Sequence, residues 1–138
     1  MNIDKYMNLL YKLVYKSYKK GEIPVGSIVI FKGKIIGKGF NNRQNTHIIY
    51  GHAEINAILE AEKHIKDWRL DDCILISTLK PCEMCYKVIK EARISKVYYL
   101  IDKDINYNDE SIIKVESDSI FYEKIKELFN NFFINLRK

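Results

Sequence analysis

The amino-acid sequence predicts an α/β domain with a central mixed sheet between helices, that is, a three-layer α/β/α fold. Two observations predict it. Patterns typical of amphipathic helices alternate with short β-rich runs, in the order helix, hairpin, helix, strand, helix, strand, strand, helix. Neither an internal repeat nor a linker interrupts this order, so we expect one domain over residues 1–138.

The N-terminal part of the chain predicts a helix followed by a β-hairpin. Apolar residues recur at three- and four-residue steps, as on one face of an amphipathic helix: Ile3, Met7, Leu10, Val14 and Tyr18. Gly21 is the natural end of this helix, since glycine is common just past a helix C-terminus. The β-rich runs 25–31 and 34–40 lie on either side of Gly33, which predicts a hairpin with glycine in its turn.

The middle of the chain predicts a loop, a helix and a buried strand. Residues 41–51 show no consistent period, which favours a loop. A helical pattern then runs from about residue 52 to residue 67, with Ile55 and Ile58 at apolar positions. Residues 73–78 are nearly all apolar, which is typical of a strand buried on both faces.

The remaining residues predict a helix, two strands and a final helix. Pro81 suits the first turn of a helix, and residues 97–101 form another β run. Residues 102–118 contain six acidic residues and two lysines, so we expect a surface loop that flanks a short strand at 112–115. A C-terminal helix whose aromatic face must dock against the domain is marked by Phe121, Ile125, Leu128, Phe132 and Leu136.

Composition excludes several classes of protein. With 47% hydrophobic and 30% charged residues, the chain is neither disordered nor fibrous. No stretch approaches the roughly 20 apolar residues that span a bilayer, and the N-terminus lacks the apolar core of a secretory signal. Three cysteines do not suggest a disulfide scaffold, so we expect a cytoplasmic domain with reduced thiols and no membrane association.

The net charge of +5 permits a polyanionic partner, although such an excess often serves only solubility.

Two short motifs, each at a predicted helix start, carry chemistry: His52-x-Glu54 and Cys82-x-x-Cys85. Cysteines three positions apart in a first helical turn lie on nearly the same side, near the positive end of the helix dipole, which lowers thiol pKa values. Two thiolates and one imidazole form an open zinc site that leaves the fourth position to water. The motifs predict one zinc ion per chain, held by His52, Cys82 and Cys85, with Glu54 as general acid and base rather than ligand.

Each motif alone has another interpretation. A Cys-x-x-Cys pair between a strand and a helix is also typical of thioredoxin-like redox proteins. Glu54 alone would be an ordinary first-turn acid favoured by the helix dipole. Of the remaining residues of these types, Cys73 is expected to be a buried structural thiol, and His64 is expected to face solvent.

Beyond these motifs, the sequence resembles the bacterial tRNA-specific adenosine deaminases of the cytidine deaminase-like superfamily. The likeness runs through nearly the whole chain. It is carried by residues 21–26 (GEIPVG), 39–41 (GFN), 52–55 (HAEI), 78–82 (TLKPC) with Cys85, and 131–133 (NFF) with Arg137. The metal motifs are shared across the superfamily, whereas the EIPVG segment and the Phe-Phe tail favour the tRNA branch over guanine deaminases.

The resemblance implies hydrolytic deamination of the wobble adenosine of a tRNA anticodon to inosine. It implies that His52, Cys82 and Cys85 hold zinc, that Glu54 moves protons, and that Asn41 hydrogen-bonds the flipped base. The implied partners are the anticodon stem-loop and a second copy of the chain in a homodimer. The alternatives are a deaminase of a free purine or pyrimidine base or nucleoside, and a catalytically impaired, zinc-stabilised RNA-binding module.

The chain departs from the family pattern at several positions outside the four chemical residues. Lys80 stands where the family has glutamate, and residues 48–51 (IIYG) replace its D-P-T-A stretch. The acidic stretch 102–118 lies where the family has K-T-G-A-x-G-S, and Leu136 replaces one arginine of the tail. These departures bear on the substrate rather than on the chemistry.

Overall fold

The computed structural model describes residues 2–136. After a 3₁₀ turn (Ile3–Tyr6), the elements in chain order are α1 (Met7–Lys19), β1 (Gly26–Phe31), β2 (Lys34–Phe40), α2 (Arg43–Thr46), α3 (Ala53–Ile65), β3 (Cys73–Leu79), α4 (Glu83–Glu91), β4 (Lys96–Ile101), β5 (Ile112–Lys114) and α5 (Ile120–Leu136). The predicted hairpin, the three further strands and the four long helices are therefore all present. Arg137, part of the resemblance, lies outside the described residues.

The five strands form one mixed sheet, in the order β2-β1-β3-β4-β5. Strand β1 is antiparallel to β2 and to β3, whereas β3, β4 and β5 are parallel. The hairpin accounts for the antiparallel pair, and helix α4 supplies the crossover that two parallel neighbours require. The predicted mixed sheet is confirmed.

Alternating side chains of the strands divide the core into two layers. Ile28 and Ile30 of β1 pack with α1 and α5 on one face of the sheet. Val29 points to the other face and packs in the cluster that contains residues of α3 and α4. The predicted three-layer α/β/α arrangement is confirmed. Of the predicted docking face of α5, Ile125 is buried and Phe121 and Leu128 pack against the same cluster as α1, whereas Leu136 is exposed, so the prediction is wrong for the end of the helix.

Two glycines allow α3 to lie directly on β2. A Cβ atom added at Gly39 would lie 2.3 Å from the carbonyl oxygen of Ala53, and one added at Gly37 would lie 2.2 Å from that of Ala57. Because real side chains do not tolerate such distances, only glycine permits this approach. The close contact sets the position of the N-terminus of α3, which carries His52 and Glu54.

Three local predictions were wrong in detail, each because a side chain satisfies backbone groups. The first turn, Ile3–Tyr6, is a 3₁₀ helix that Asn2 caps by accepting from the backbone N–H of Asp4. Helix α4 begins at Glu83 rather than at Pro81, because the sulfur of Cys82 accepts from the backbone N–H of Cys85 and makes Cys82 the N-cap residue.

The third correction concerns residues 41–51, which are not all loop. The carboxylate of Glu22 accepts hydrogen bonds from the backbone N–H groups of Gln44 and Asn45, at 3.1 and 2.8 Å. These bonds satisfy N–H groups at the start of the four-residue helix α2, which would otherwise lack partners. Within residues 2–136, no helix is long and apolar enough to cross a membrane.

Candidate active site

His52 is the N-cap residue of α3, with extended backbone angles of φ −97° and ψ 147°. The chain is therefore still turning into the helix at this residue, which lies at the predicted helix start. Its ring nitrogen Nδ1 lies 3.8 Å from the sulfur of Cys82 and 3.5 Å from the sulfur of Cys85. The two motifs, 30 residues apart in the chain, thus meet at the N-termini of two helices.

The cysteines occupy the start of α4, where the helix dipole favours negative charge. Cys85 is fully buried, whereas Cys82 is partly exposed. Hydrogen bonds from the Cys85 thiol and from His52 lower the pKa of the Cys82 thiol to about 3. The same contact with Cys82, together with burial, raises the pKa of the Cys85 thiol. Without a metal, Cys82 therefore loses its proton readily, whereas Cys85 keeps its proton and donates it in a hydrogen bond to the Cys82 sulfur.

The chemistry of these donors fits a zinc ion. One ligand atom from each of His52, Cys82 and Cys85 lies within 4.8 Å of the others. Zinc prefers thiolate sulfur and imidazole nitrogen, and a site with three protein ligands leaves one tetrahedral position for water or substrate. The structure thus brings together the three residues that the sequence predicts as ligands.

Glu54 lies in the first turn of α3 and is almost completely buried, with 4% of its surface exposed. Burial raises the pKa of its carboxyl group to about 7. The backbone, His52 and the Cys85 thiol act in the opposite direction and lower this pKa, but the effect of burial is larger. A buried carboxyl beside a metal-type cluster can hold or release a proton near neutral pH, as general acid–base catalysis requires.

Asn41 lies at the end of β2 and contacts the same helix terminus. Its amide oxygen accepts a hydrogen bond from the backbone N–H of Ala53 at 2.7 Å, and its amide nitrogen donates to the carbonyl oxygen of Ile23 at 3.0 Å. An asparagine amide carries two N–H groups and two acceptor sites, so one of each remains for a ligand.

A cleft of about 340 Å³ opens beside Asn41 and His52. One wall is apolar and comes from the end of α5, with Phe132, Phe133 and Leu136. Polar and charged residues also line the cleft, among them Glu22, Gln44 and Arg43. The cleft can therefore hold a partly apolar ligand next to His52.

Lys80, the residue that replaces the family's glutamate, is turned toward the acidic stretch. Its ammonium group donates a hydrogen bond to the carbonyl oxygen of Ile105 at 2.8 Å and lies 3.7 Å from the carboxylate of Asp102. Its charge is thus engaged by the segment that follows β4.

The family model of the cytidine and deoxycytidylate deaminase zinc-binding region matches residues 1–101, which include all four residues of the predicted centre. The chain belongs to this family. The family is a zinc-binding one, and the three donors of this chain lie close enough together to hold a metal ion. The thioredoxin-like interpretation of Cys82-x-x-Cys85 has no such support.

Two proteins similar in sequence to this chain are both named tRNA-specific adenosine deaminases. The chain is 34% identical over 147 residues to a tRNA-specific adenosine deaminase of Buchnera aphidicola, an alignment that covers 99% of the chain and 97% of the relative. It is 43% identical over 94 residues to a tRNA-specific adenosine deaminase of Streptococcus pyogenes. That second match covers 68% of the chain and 59% of the relative, so the chain spans little more than half of that protein.

Among solved structures, the guanine deaminase of Bacillus subtilis superposes with a TM-score of 0.69 at 25% identity. The match covers 95% of both chains. The deaminase fold expected from the sequence is thereby confirmed.

Several residues that shape the site were not found by sequence analysis. Glu22 was noted only as part of the GEIPVG segment, yet its carboxylate holds α2 at the cleft. Tyr107 was considered only as part of the acidic stretch, although its hydroxyl donates to the carbonyl oxygen of Pro81, the residue before Cys82. An acid in a recognised segment could have pointed to Glu22, whereas Tyr107 lies in a stretch whose composition indicates only a surface loop.

Proposed function

We propose that this chain is a zinc-dependent hydrolase that converts adenosine to inosine at the wobble position of a tRNA anticodon. The observation that carries the chemistry is the buried carboxyl of Glu54 beside the cluster of His52, Cys82 and Cys85. The substrate class is supported by the name of the Buchnera relative, which aligns along nearly the whole of both chains.

In this proposal His52, Cys82 and Cys85 hold one zinc ion per chain. When bound, zinc activates water for attack on an amino-bearing ring carbon. Glu54 takes the proton of the attacking water and delivers it to the neighbouring ring nitrogen. It then moves the second proton of that water to the departing amine, so that ammonia leaves and a carbonyl remains. Water and adenosine are thereby consumed, and inosine and ammonia are formed.

The cleft would hold the flipped base. Phe132 and Phe133 supply aromatic surface on which a base can stack, as unpaired bases do in RNA-binding proteins. One N–H of the Asn41 amide donates to the carbonyl oxygen of Ile23, and the other would donate to the base. Because enzymes that act on a base in nucleic acid first extrude it, an anticodon loop is a suitable substrate.

The charge distribution of the acidic stretch is compatible with an RNA partner. Three of its carboxylates form ion pairs with lysines within the chain: Asp102 with Lys80, Asp109 with Lys90, and Glu116 with Lys114. These pairs reduce the repulsion that phosphates would meet at this segment. Arg43 lines the cleft, and five lysines lie in the first twenty residues, so cations are available for phosphate contacts.

We also propose that the enzyme acts as a homodimer, as the resemblance implies. The exposed apolar residues Ile48, Ile49 and Tyr50 lie directly before the site motif and offer surface for a second copy. The apolar residues of α5 offer less surface for a second copy, because Tyr122 and Ile125 belong to the core. Light scattering on an active preparation should give twice the 16.3 kDa mass of one chain. A mass of one chain in that preparation would contradict the dimer.

A second candidate function is deamination of free guanine. It is favoured by the match to the Bacillus subtilis guanine deaminase, which covers 95% of both chains. A screen of purified protein against an anticodon stem-loop, guanine, cytosine and free nucleosides separates the two candidates. The cytoplasmic location predicted from composition agrees with either substrate.

Metal analysis tests the chemistry independently of the substrate. We expect about one zinc ion per chain, lost on Cys82→Ala or Cys85→Ala because three ligands are needed to hold it. Cys73→Ala is the matched control, since Cys73 is buried in β3 as part of the apolar core. A metal-free protein that reduces disulfides with Cys82 and Cys85 would instead support the redox interpretation.

A further inference from the structure

The two departures from the family pattern near the metal centre are in contact with each other. Lys80, at the end of β3, reaches the acidic stretch and donates to the carbonyl oxygen of Ile105. Its side chain is half-buried, with 16% of its surface exposed, whereas the side chain of Asp102 is 59% exposed. The hydrogen bond and the nearby carboxylate compensate this half-buried ammonium group for the hydration that it loses.

The acidic stretch in turn places Tyr107 against the start of α4. The ring of Tyr107 stacks on Tyr86, with 4.1 Å between ring centroids and 13° between planes. The Tyr107 hydroxyl donates to the carbonyl oxygen of Pro81 at 3.0 Å. The ammonium group of Lys80 lies 5.3 Å from the centroid of the Tyr107 ring, within reach of a cation–π interaction.

Asp109 ties the same segment to the outer face of α4. Its carboxylate accepts a hydrogen bond from the Tyr86 hydroxyl at 2.9 Å and pairs with the ammonium group of Lys90 at 3.0 Å. It also accepts from the backbone N–H of Ser111 at 2.9 Å. Residues 105–109 are therefore attached to the chain on both sides of Tyr107.

We propose that Tyr107 is a positioning residue for the metal centre, acting through the Pro81 carbonyl on the backbone that sets Cys82. Pro81 directly precedes Cys82, so the orientation of their shared peptide group helps to determine where the Cys82 sulfur lies. Lys80 holds Tyr107 in place, and the two residues act as one unit. The inference rests on the proposed zinc centre.

The direct test is the affinity for zinc of Tyr107→Phe, measured by competition with a chelator. This change removes only the hydroxyl and leaves the ring stacked on Tyr86. We expect affinity to fall about tenfold, the lower end of the range typical for groups that orient metal ligands. Tyr15→Phe is the matched control, because Tyr15 is an exposed tyrosine of α1, and it should bind zinc as the wild type does.

Lys80→Glu provides the second variant. It places a carboxylate against the Ile105 carbonyl and Asp102, so it should also weaken zinc binding, even though glutamate is the family's residue there. Lys103→Glu makes the same charge change at an exposed position of the acidic stretch and should leave the affinity unchanged. Because the two residues act together, the double variant should bind zinc no more weakly than the poorer single variant.

Cobalt substitution adds a readout that a general loss of stability does not produce. In Tyr107→Phe the cobalt–thiolate absorption should shift while the thermal midpoint stays near that of Tyr15→Phe. A wild-type chain that binds no zinc would overturn the proposed function. A wild type that binds zinc, with Tyr107→Phe and Lys80→Glu binding it equally well, would overturn this inference alone. If Tyr107→Phe fails to fold, the comparison of Lys80→Glu with Lys103→Glu decides.

Discussion

The amide oxygen of Asn41 accepts a hydrogen bond from the backbone N–H of Ala53 at 2.7 Å. This bond caps the N-terminus of α3 from a different part of the chain. The usual capping residue at that position is His52, whose ring faces the sulfurs of Cys82 and Cys85 instead. The residue that the family resemblance assigns to the substrate thus also supports the helix that carries Glu54.

Asn41→Ala should therefore lower stability as well as activity. Loss of a helix cap costs about 1 kcal/mol in the free energy of unfolding, measurable by chemical denaturation. Asn108→Ala, at an exposed asparagine of the acidic stretch, is the control. Equal stability of the two variants would show that the bond to Ala53 contributes nothing.

Glu54→Gln should retain zinc and fold while losing most turnover. Glutamine has the same shape but cannot carry the protons between water, ring nitrogen and amine. Positioned acid–base catalysis contributes about 10²- to 10⁴-fold, so kcat should fall by at least the lower figure. Glu60→Gln changes an exposed glutamate of the same helix and serves as control. More than a tenth of the wild-type rate in Glu54→Gln would remove Glu54 from the mechanism.

Gly39→Ala should weaken zinc binding indirectly, because it changes how α3 packs on β2. The new methyl group would lie 2.3 Å from the carbonyl oxygen of Ala53 and push the start of α3 off the sheet. Overpacking of this kind costs about 1–3 kcal/mol, and zinc affinity should fall because His52 precedes Ala53. Lys38→Ala, on the exposed side of the same strand, controls for the change to alanine. Unchanged unfolding and zinc binding in Gly39→Ala would contradict the close packing of α3 on β2.

The contribution of Glu22 to stability should depend on pH. Burial raises the pKa of Glu22, but hydrogen bonds from Asn45 and Gln44 outweigh this effect and lower the pKa below its usual value. The folded state therefore binds the proton less readily than the unfolded chain, and the stabilisation is present above about pH 4.3 and lost as pH falls through the folded pKa.

Glu22→Gln tests this dependence. At pH 7 the variant should be less stable than the wild type by about 1–2 kcal/mol, because it loses charge-assisted hydrogen bonds to the start of α2. The difference in the free energy of unfolding should shrink as the solution is acidified below pH 4. A difference that is constant between pH 7 and pH 3 would show that the charge of Glu22 does not hold α2.

The sequence predicted the features that depend on local patterns. The β-rich runs on either side of Gly33 form the predicted hairpin, and the two ligand motifs lie at the predicted helix starts. Helix α2 was missed because its first N–H groups depend on Glu22, which lies more than twenty positions earlier in the chain. The spacing of apolar residues within a short segment cannot predict a contact between such distant residues.

The surroundings of the metal centre were predictable only in part for the same reason. Lys80 was noted as a departure, but its partner at Ile105 is 25 positions away and is a backbone carbonyl, which any residue could supply. Phe132 and Phe133 were recognised as part of a tail, whereas their place in the cleft depends on how α5 packs along α1. These relationships arise from tertiary packing rather than from residue type.

The most direct test of the proposed function compares an anticodon stem-loop RNA with free guanine, using wild-type protein and Glu54→Gln. The account predicts inosine at the wobble adenosine with the wild type and almost none with the variant. The rate on RNA should fall steeply with added salt, because phosphate contacts are replaced by counterions. Robust deamination of guanine, with no inosine in any anticodon stem-loop, would contradict it.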